Sequence, residues 1–370
     1  MHILHVETGR HLYGGAAQVL NLIPGLGRHA VRGTLICTRD SALAIAARAR
    51  GIDVVPVPMA GDLDVGFVGR LRRLIRELDP SLVHVHSRRG ADLFGGPAAL
   101  LAGKPAVLSR RVDSPGSRLG RPKYWFYRRI VAISGCIHRQ LRDSGVPERK
   151  LRTVPSGVLP EACAPNWSRQ KFLSEFDLAD DDFVIAVTAQ LIPRKGHRYL
   201  IEALPGIRAA FAGTRVLFFG AGTEEQRLRD AVARQGQSDV VCFAGYRTDL
   251  LDFLGHVQLV VHPAIREGLG LSLLEAQAAG VPVVGFRSGG QTEAVDDGVT
   301  GTLVPPLDTG ALADAIAHLI YHPRVRTRMG NAAREWIRDR FSLEQMVAGN
   351  LSVYNEVLGQ SEESRSDRSR

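Results

Sequence analysis

REGLGLSLLEAQAAGVPVVGFRSGGQTEAVDDGVTGTLVPP, residues 266–306, decides how this chain is read. Ahead of it QLVVHPA (258–264) is the apolar run of a buried strand. Gly268 and Gly270 then open a loop, and the Leu/Ala-rich run from Leu271 to Ala279, closed by Gly280, predicts a helix. Glu267 therefore lies in a loop at the carboxyl end of a strand, where open α/β sheets bind ligands, and Glu275 lies in the helix that follows. Carboxylates accept hydrogen bonds from neighbouring hydroxyls of a ribose or hexose. Backbone N–H groups around Gly268, Leu269, Gly270 and Leu271 can meet an anion at the helix start. Carboxylates for sugar hydroxyls beside amides for phosphate describe a sugar-nucleotide site.

The Glu-x7-Glu spacing, the strand VPVVGF (281–286), Gly289-Gly290 with Glu293, and GTLVPP (301–306) resemble the donor-binding core of glycosyltransferase family 4. The resemblance covers nearly the whole chain. It implies the α/β fold called GT-B: two Rossmann-like domains facing each other across a cleft, with a C-terminal helix crossing back to the first. It also implies retaining transfer of a sugar from a nucleotide-diphosphate donor to a glycan or lipid-linked acceptor, in lipopolysaccharide or surface polysaccharide synthesis.

The chain's 370 residues suit two domains, and 45% hydrophobic with 23% charged residues is a soluble globular composition. No apolar run approaches a membrane span, and MHILHVETG lacks the basic flank and long apolar core of a signal peptide. Cys37, Cys136, Cys163 and Cys242 form no C-x-x-C pair, which fits a reducing cytoplasm without zinc or a disulfide framework. Residues 1–160 carry 25 Lys/Arg against 11 Asp/Glu, a net of +14, whereas the remainder is net −5. A basic first half suggests an anionic partner. The expected divisions are an acceptor domain over 1–160, a donor domain over 166–341, a helix over 342–358 that packs back on the first domain, and a disordered tail over 359–370.

Along the first half, HILHVE is a strand turning through Gly14 and Gly15 into a helix. That turn either seats a phosphate on backbone N–H groups or is a tight turn needing glycine for packing. Asp62-Leu63-Asp64 precedes an amphipathic run and reads as a helix cap rather than a metal motif. In the strand SLVHVHS (81–87), His84 and His86 are expected to point apart, with His86 either a cleft residue or a satisfied core histidine. PAVLSRR (105–111) ends in Arg110 and Arg111, near where many family members have a histidine close to the donor sugar. From Arg110 to Arg129 seven basic residues surround Tyr124, Trp125, Phe126 and Tyr127. This segment suits an anionic membrane surface or a nucleic acid, or else is a solvated loop and a helix with core aromatics.

In the second half, FVIAVTAQLIPRKG (183–196) runs from a strand through Gln190 to Arg194 and Lys195 at a helix start. The resemblance makes Lys195 the cation that clamps the donor diphosphate. The arginine that commonly accompanies it is replaced by Gln190, so Arg194 is the expected second charge. Gly245 lies in the turn that the family places near the nucleotide base. Glu267 is expected to orient the donor sugar and Glu275 the ribose, and Glu275 and Lys195 are expected to be exposed. No metal or other cofactor is expected, since side chains and helix ends supply the positive charge, and nucleic acid has no role beside a sugar-transfer cleft. The alternatives are a nucleotide-sugar epimerase of GT-B fold, revealed by donor conversion without acceptor, and an inactive sugar-nucleotide or glycan-binding protein, revealed by absent turnover.

Overall fold

A computed structural model describes residues 1–9, 12–86, 90–113 and 118–359, with only the backbone described over 118–121. The expected disordered tail lies outside the described residues from position 360 onward. The chain divides into two compact units: Met1–Gly157 together with Leu343–Arg370, and Val158–Ser342.

The first unit alternates strand and helix: β1 (His2–Val6), α1 (Gly14–Gly27), β2 (Arg32–Cys37), α2 (Ala42–Ala49), β3 (Asp53–Pro56), α3 (Gly66–Leu78), β4 (Leu82–Val85), α4 (Ala91–Leu101), β5 (Ala106–Arg110), β6 (Arg129–Ala132), α5 (Gly135–Asp143) and β7 (Leu151–Thr153). The second continues with α6 (Arg169–Glu175), β8 (Phe183–Thr188), α7 (His197–Ala210), β9 (Thr214–Phe219), α8 (Glu225–Arg234), β10 (Val241–Gly245), β11 (Leu259–His262), α9 (Leu271–Ala278), β12 (Val283–Phe286), α10 (Gln291–Ala294), β13 (Gly301–Val304), α11 (Thr309–Tyr321) and α12 (Pro323–Arg340). The last helix, α13 (Leu343–Val357), belongs to the first unit.

Both sheets are parallel, with orders β3-β2-β1-β4-β5-β6-β7 and β10-β9-β8-β11-β12-β13. Strands buried on both faces need near-continuous apolar sequence, and β8 (FVIAVT) is buried at every position. Helices cover a sheet with one stripe only. In α3 the stripe is Phe67, Leu71 and Ile75, while Arg72 and Arg76 lie off it. The chain reverses its direction of travel across the sheet between β1 and β4 in the first unit and between β8 and β11 in the second. A reversal leaves two loops diverging at the carboxyl ends of adjacent strands, which opens a crevice there.

Helix α13 joins the first unit through Leu343, Met346, Val347, Val353 and Tyr354, which share a core with Leu22 and Leu26 of α1. Each such side chain contributes about 1.5–3 kcal/mol of burial. Gly25 permits this packing, because a Cβ there would stand 2.5 Å from Val347 Cγ2.

Two local expectations are corrected. Residues two apart on a strand share a face, so His84 and His86 point the same way, with ring centroids 3.8 Å apart. The N-cap position of α3 is Val65, not an aspartate, while the Asp64 carboxylate just before it interacts with the Phe67 N–H of the first turn. That carboxylate accepts from the Ala60 N–H at 2.7 Å and pairs with Arg70, closing the preceding turn.

Candidate active site

In the second unit, β8 is followed by a 3-10 turn, Pro193–Lys195, and then Gly196 at φ +72°. A Cβ on Gly196 would lie 1.9 Å from the Pro263 carbonyl oxygen, so only glycine lets this turn rest against the loop after β11. The Ile265 N–H donates to the Arg194 carbonyl at 3.0 Å and stitches the two loops together. That contact delivers the Lys195 ammonium to Glu267 Oε2. His262, the last residue of β11, donates from Nε2 to the same oxygen at 2.9 Å, and the Gly268 N–H reaches Oε1 at 3.1 Å.

The Lys195 and Glu267 side chains are only 12% and 11% exposed, so the expectation of a solvent-exposed lysine is corrected: the pair is buried because each charge neutralises the other. Burial is the strongest single influence on Glu267 and would raise its pKa. The Lys195 charge and the His262 hydrogen bond together outweigh it and hold the carboxylate well below the usual range. Burial likewise keeps His262 neutral, so Nε2 carries the hydrogen that it donates.

The Gly289-Gly290 pair has a structural part in this site. A Cβ on Gly290 would lie 2.1 Å from the Gly268 carbonyl oxygen, and the Gly290 N–H donates to the Glu267 carbonyl at 2.9 Å. Ser288 Oγ and Gln291 Nε2 both donate to the Ala264 carbonyl, at 2.7 and 2.8 Å. The loop carrying Glu267 is thus fixed from below.

Leu269 is buried, and Gly270, at φ +95°, leads into α9, which begins at Leu271 with no side-chain cap. Glu275 lies one turn into α9, partly accessible but closely surrounded by protein. Burial raises its pKa to about 7, and it makes no ion pair among the described residues. The two glutamates are therefore electrostatically unlike: one is held ionised, the other titrates near neutrality. Arg194 and Gln190 are half-buried, and Arg194 makes no side-chain ion pair among the described residues. Gly245, at φ +70°, ends β10 and accepts from the Gly220 N–H at 2.8 Å.

In the first unit, Gly14 and Gly15 begin α1, whose start likewise has no side-chain cap. Arg110 ends β5 with its side chain buried, and Arg111 packs on the first turn of α1: a Cβ on Gly15 would be 3.4 Å from Arg111 Cδ. Arg111 Nη1 lies 3.5 Å from Ser156 Oγ and Nη2 lies 3.4 Å from His86 Nδ1. His86 Nε2 is 3.0 Å from His5 Nδ1, and His5 stands opposite His84 in the β1–β4 register. His84 is engaged at both nitrogens, by Tyr354 Oη at 2.6 Å and Ser109 Oγ at 2.8 Å. Burial lowers all three imidazoles, His5 to about 3. Nitrogens of His5, His84 and His86 lie within 4.8 Å of one another, a grouping that sequence analysis missed because His5 is distant in the chain. His86 is thus a core histidine joined to Arg111.

The segment Arg110–Arg129 is divided rather than uniformly exposed. Tyr124 and Tyr127 are buried, Lys123 pairs with Asp92, and Lys150 Nζ donates to the carbonyls of Tyr124 and Trp125 at 3.1 Å each. Trp125 and Phe126 remain 74% and 38% exposed beside α4. The side chains of Arg118 and Arg121 lie outside the described residues.

Two parallel α/β units, each with a switch-point crevice in its own sheet, are the plan of the GT-B fold, and sequence comparison gives the class as glycosyltransferase. The profile "Glycosyltransferase Family 4" matches residues 13–162 and "Glycosyl transferases group 1" matches 168–336. A GDP-mannose-dependent alpha-(1-6)-phosphatidylinositol monomannoside mannosyltransferase of Mycobacterium tuberculosis is 30% identical over 82% of this chain and 83% of its own length. A D-inositol 3-phosphate glycosyltransferase of Saccharomonospora viridis is 35% identical over 56% of this chain and 50% of its own. The Anabaena protein HepE, crystallised with UDP and glucose, has the same fold at TM-score 0.84 and 22% identity, over 95% of this chain and 99% of that one. The chain belongs to glycosyltransferase family 4, and it is an enzyme of the transferase class.

Proposed function

We propose that the protein moves a hexose, with retention at the anomeric carbon, from a nucleotide-diphosphate donor to a glycan or lipid-linked acceptor. The observation that carries this reading is the Lys195–Glu267–His262 assembly at the switch point, with Glu275 one turn into the adjoining helix. An ammonium has three N–H donors, so Lys195 can keep Glu267 and still donate to a diphosphate. Arg194 adds a second charge. Preorganised donors of this kind contribute about 2.7–4 kcal/mol each to a transition state in which negative charge develops. Glu267 orients the donor sugar and Glu275 accepts from the ribose, which is positioning rather than acid–base work. Gln190, Gly245, Gly268, Leu269, Gly270 and Leu271 line the donor, and the uncapped start of α1 at Gly14 and Gly15 is a further turn suited to an anion, in the first unit.

In the step itself, the bond from the anomeric carbon to the diphosphate oxygen breaks. The acceptor oxygen bonds to that carbon on the same face, and its proton passes to the departing phosphate oxygen. Lys195 and Arg194 supply the charge that this requires, so no metal cofactor is called for. Relatives whose names carry GDP-mannose and phosphatidylinositol monomannoside favour a mannosyl donor and a lipid-linked acceptor; assembly of a surface glycan such as lipopolysaccharide is the role that the family resemblance adds to this reading. Among the described residues no helix is long and apolar enough to cross a membrane. A cytoplasmic enzyme that docks on an anionic inner surface, through the basic first half and the exposed Trp125 and Phe126, satisfies both that fact and such an acceptor.

A thermal-shift panel of nucleotide sugars tests the donor. A ligand at 100 times its Kd adds about 2.7 kcal/mol of stability. A panel in which no nucleotide sugar shifts the transition would refute the reading.

A further inference from the structure

One of the groups that hold Glu267 is independent of the donor. Three hydrogen-bond donors meet its carboxylate: the Lys195 ammonium and His262 Nε2 at Oε2, and the Gly268 N–H at Oε1. They respond differently to a bound nucleotide sugar. Lys195 carries its charge on a flexible stem, and a diphosphate competes with Glu267 for it. Gly268 is the next residue of the same loop, so its N–H travels with the carboxylate and gives it no anchor elsewhere. Of the three, only His262 belongs to the sheet.

His262 closes β11, the strand between β8 and β12, and stands opposite Gly285 in the β11–β12 register. The charged and titratable groups around its buried ring are Glu267, Lys195 and Arg194 from the two loops, and His197 at the start of α7. Burial, helped by the two cations, outweighs the carboxylate and keeps the imidazole neutral, and burial does the same to His197. An ionised carboxylate only accepts, so the single hydrogen of His262 lies on Nε2, 2.9 Å from Oε2. Nδ1 is buried and has no partner among the described residues, so Glu267 alone sets the tautomer. A neutral ring built into a central strand is neither drawn to a phosphate nor free to swing.

We propose that His262 is a positioning residue for sugar transfer, which holds Oε2 of Glu267 in place while the departing diphosphate draws Lys195 away. The proposal rests on the transferase reading above and deepens it. As the bond at the anomeric carbon breaks, the Lys195 ammonium shifts its donors toward the phosphate oxygen that takes up the charge. Glu267 keeps the hydrogen bonds from His262 and Gly268, stays ionised and stays in register with the sugar. His262 gives up no proton and takes none. Misplacing a positioning group by about 1 Å costs about a hundredfold in rate.

The test has two arms, both on the full chain. In the first, release of GDP from GDP-mannose is followed in the wild type, His262→Leu and His262→Gln. His262→Leu removes the hydrogen-bond donor and leaves Lys195 for the diphosphate, so kcat falls about ten- to a hundredfold while the KM for GDP-mannose stays within about threefold. His262→Gln places an amide N–H where the imidazole had its own and restores kcat to within about fivefold of the wild type. If His262→Leu does not fold, His262→Asn takes its place, because the shorter amide stops short of Oε2. An unchanged kcat, a rise in KM alone, or a loss that His262→Gln does not relieve would overturn the proposal. In the second arm, nitrogen-15 NMR of histidine-labelled protein, with His262 identified by the signal lost in His262→Gln, shows the neutral Nε2–H tautomer throughout about pH 6–8. Protonation of His262 in that range, or a hydrogen on Nδ1, would overturn the proposal too. Failure of the transferase reading is separate: it shows as no GDP release by the wild type, whereas the NMR arm needs no donor.

Discussion

Replacing Lys195 by methionine strips the cation from a carboxylate that is 11% exposed, while leaving His262 and the Gly268 N–H in place. Removing one member of a buried ion pair costs about 3–5 kcal/mol. The two remaining hydrogen bonds put the expected loss at the lower end, about 3 kcal/mol. For a unit of this size that is a fall in Tm of about 6–12 °C. Urea unfolding followed by Trp167 and Trp336, both in the second unit, reads it directly. The pH dependence has a definite sign. In the wild type the folded pKa of Glu267 lies below its unfolded value of about 4.3, so its contribution is present above that pH and lost on acidification. In Lys195→Met burial carries the carboxyl above its unfolded value, so the penalty is greatest at alkaline pH and shrinks as pH falls. The double variant Lys195→Met/Glu267→Gln recovers most of the loss. A single variant within about 0.5 kcal/mol of wild type, or a double variant equal to the sum of the singles, would refute a coupled buried pair.

Three further outcomes follow from the same geometry. Glu275, with its pKa raised to about 7, favours the folded state at low pH and gives up that stabilisation as pH rises through 7; donor affinity conversely improves between pH 6 and 8 as the carboxylate forms, and Glu275→Gln flattens both profiles. Gly196→Ala must displace the Pro263 carbonyl, so it loses stability and turnover together, whereas Gly298→Ala, at φ +80° in open space, costs only about 1–2 kcal/mol in a melt and leaves turnover alone. Vesicle sedimentation should show binding to anionic but not neutral lipid, lost as salt rises and reduced by Trp125→Ala and Arg128→Glu; equal binding to both lipids would remove the electrostatic basis.

What the sequence made legible was whatever depends on local pattern. The apolar run before Glu267, the glycines after it and the helix bearing Glu275 follow from periodicity and turn chemistry, and the parallel α/β plan follows from their alternation. Contacts between distant loops were not legible. Nothing near Lys195 announces that it meets Glu267, because the encounter depends on Gly196 lying against Pro263, 67 positions away. His262 and His5 carried no local mark, since each gains its part only when neighbouring strands bring its partner alongside. Gly220 and Gly222 carried no local mark either. In the fold each makes room for a backbone carbonyl, of Ala189 and Leu191 on either side of Gln190. The aromatics of 124–127 read as one group, yet burial sorts them by tertiary contact: the Tyr127 hydroxyl donates to the Asp92 carbonyl at 2.9 Å, while Trp125 faces solvent.

The central claim is that Lys195, Glu267 and Glu275 form a nucleotide-sugar site, and titration of GDP-mannose into wild type, Lys195→Ala and Glu275→Ala tests it most directly. The account predicts saturable one-to-one binding by the wild type, with affinity at least tenfold weaker in each variant while its circular dichroism remains that of a folded chain. Folded variants that bind GDP-mannose as tightly as the wild type would contradict it.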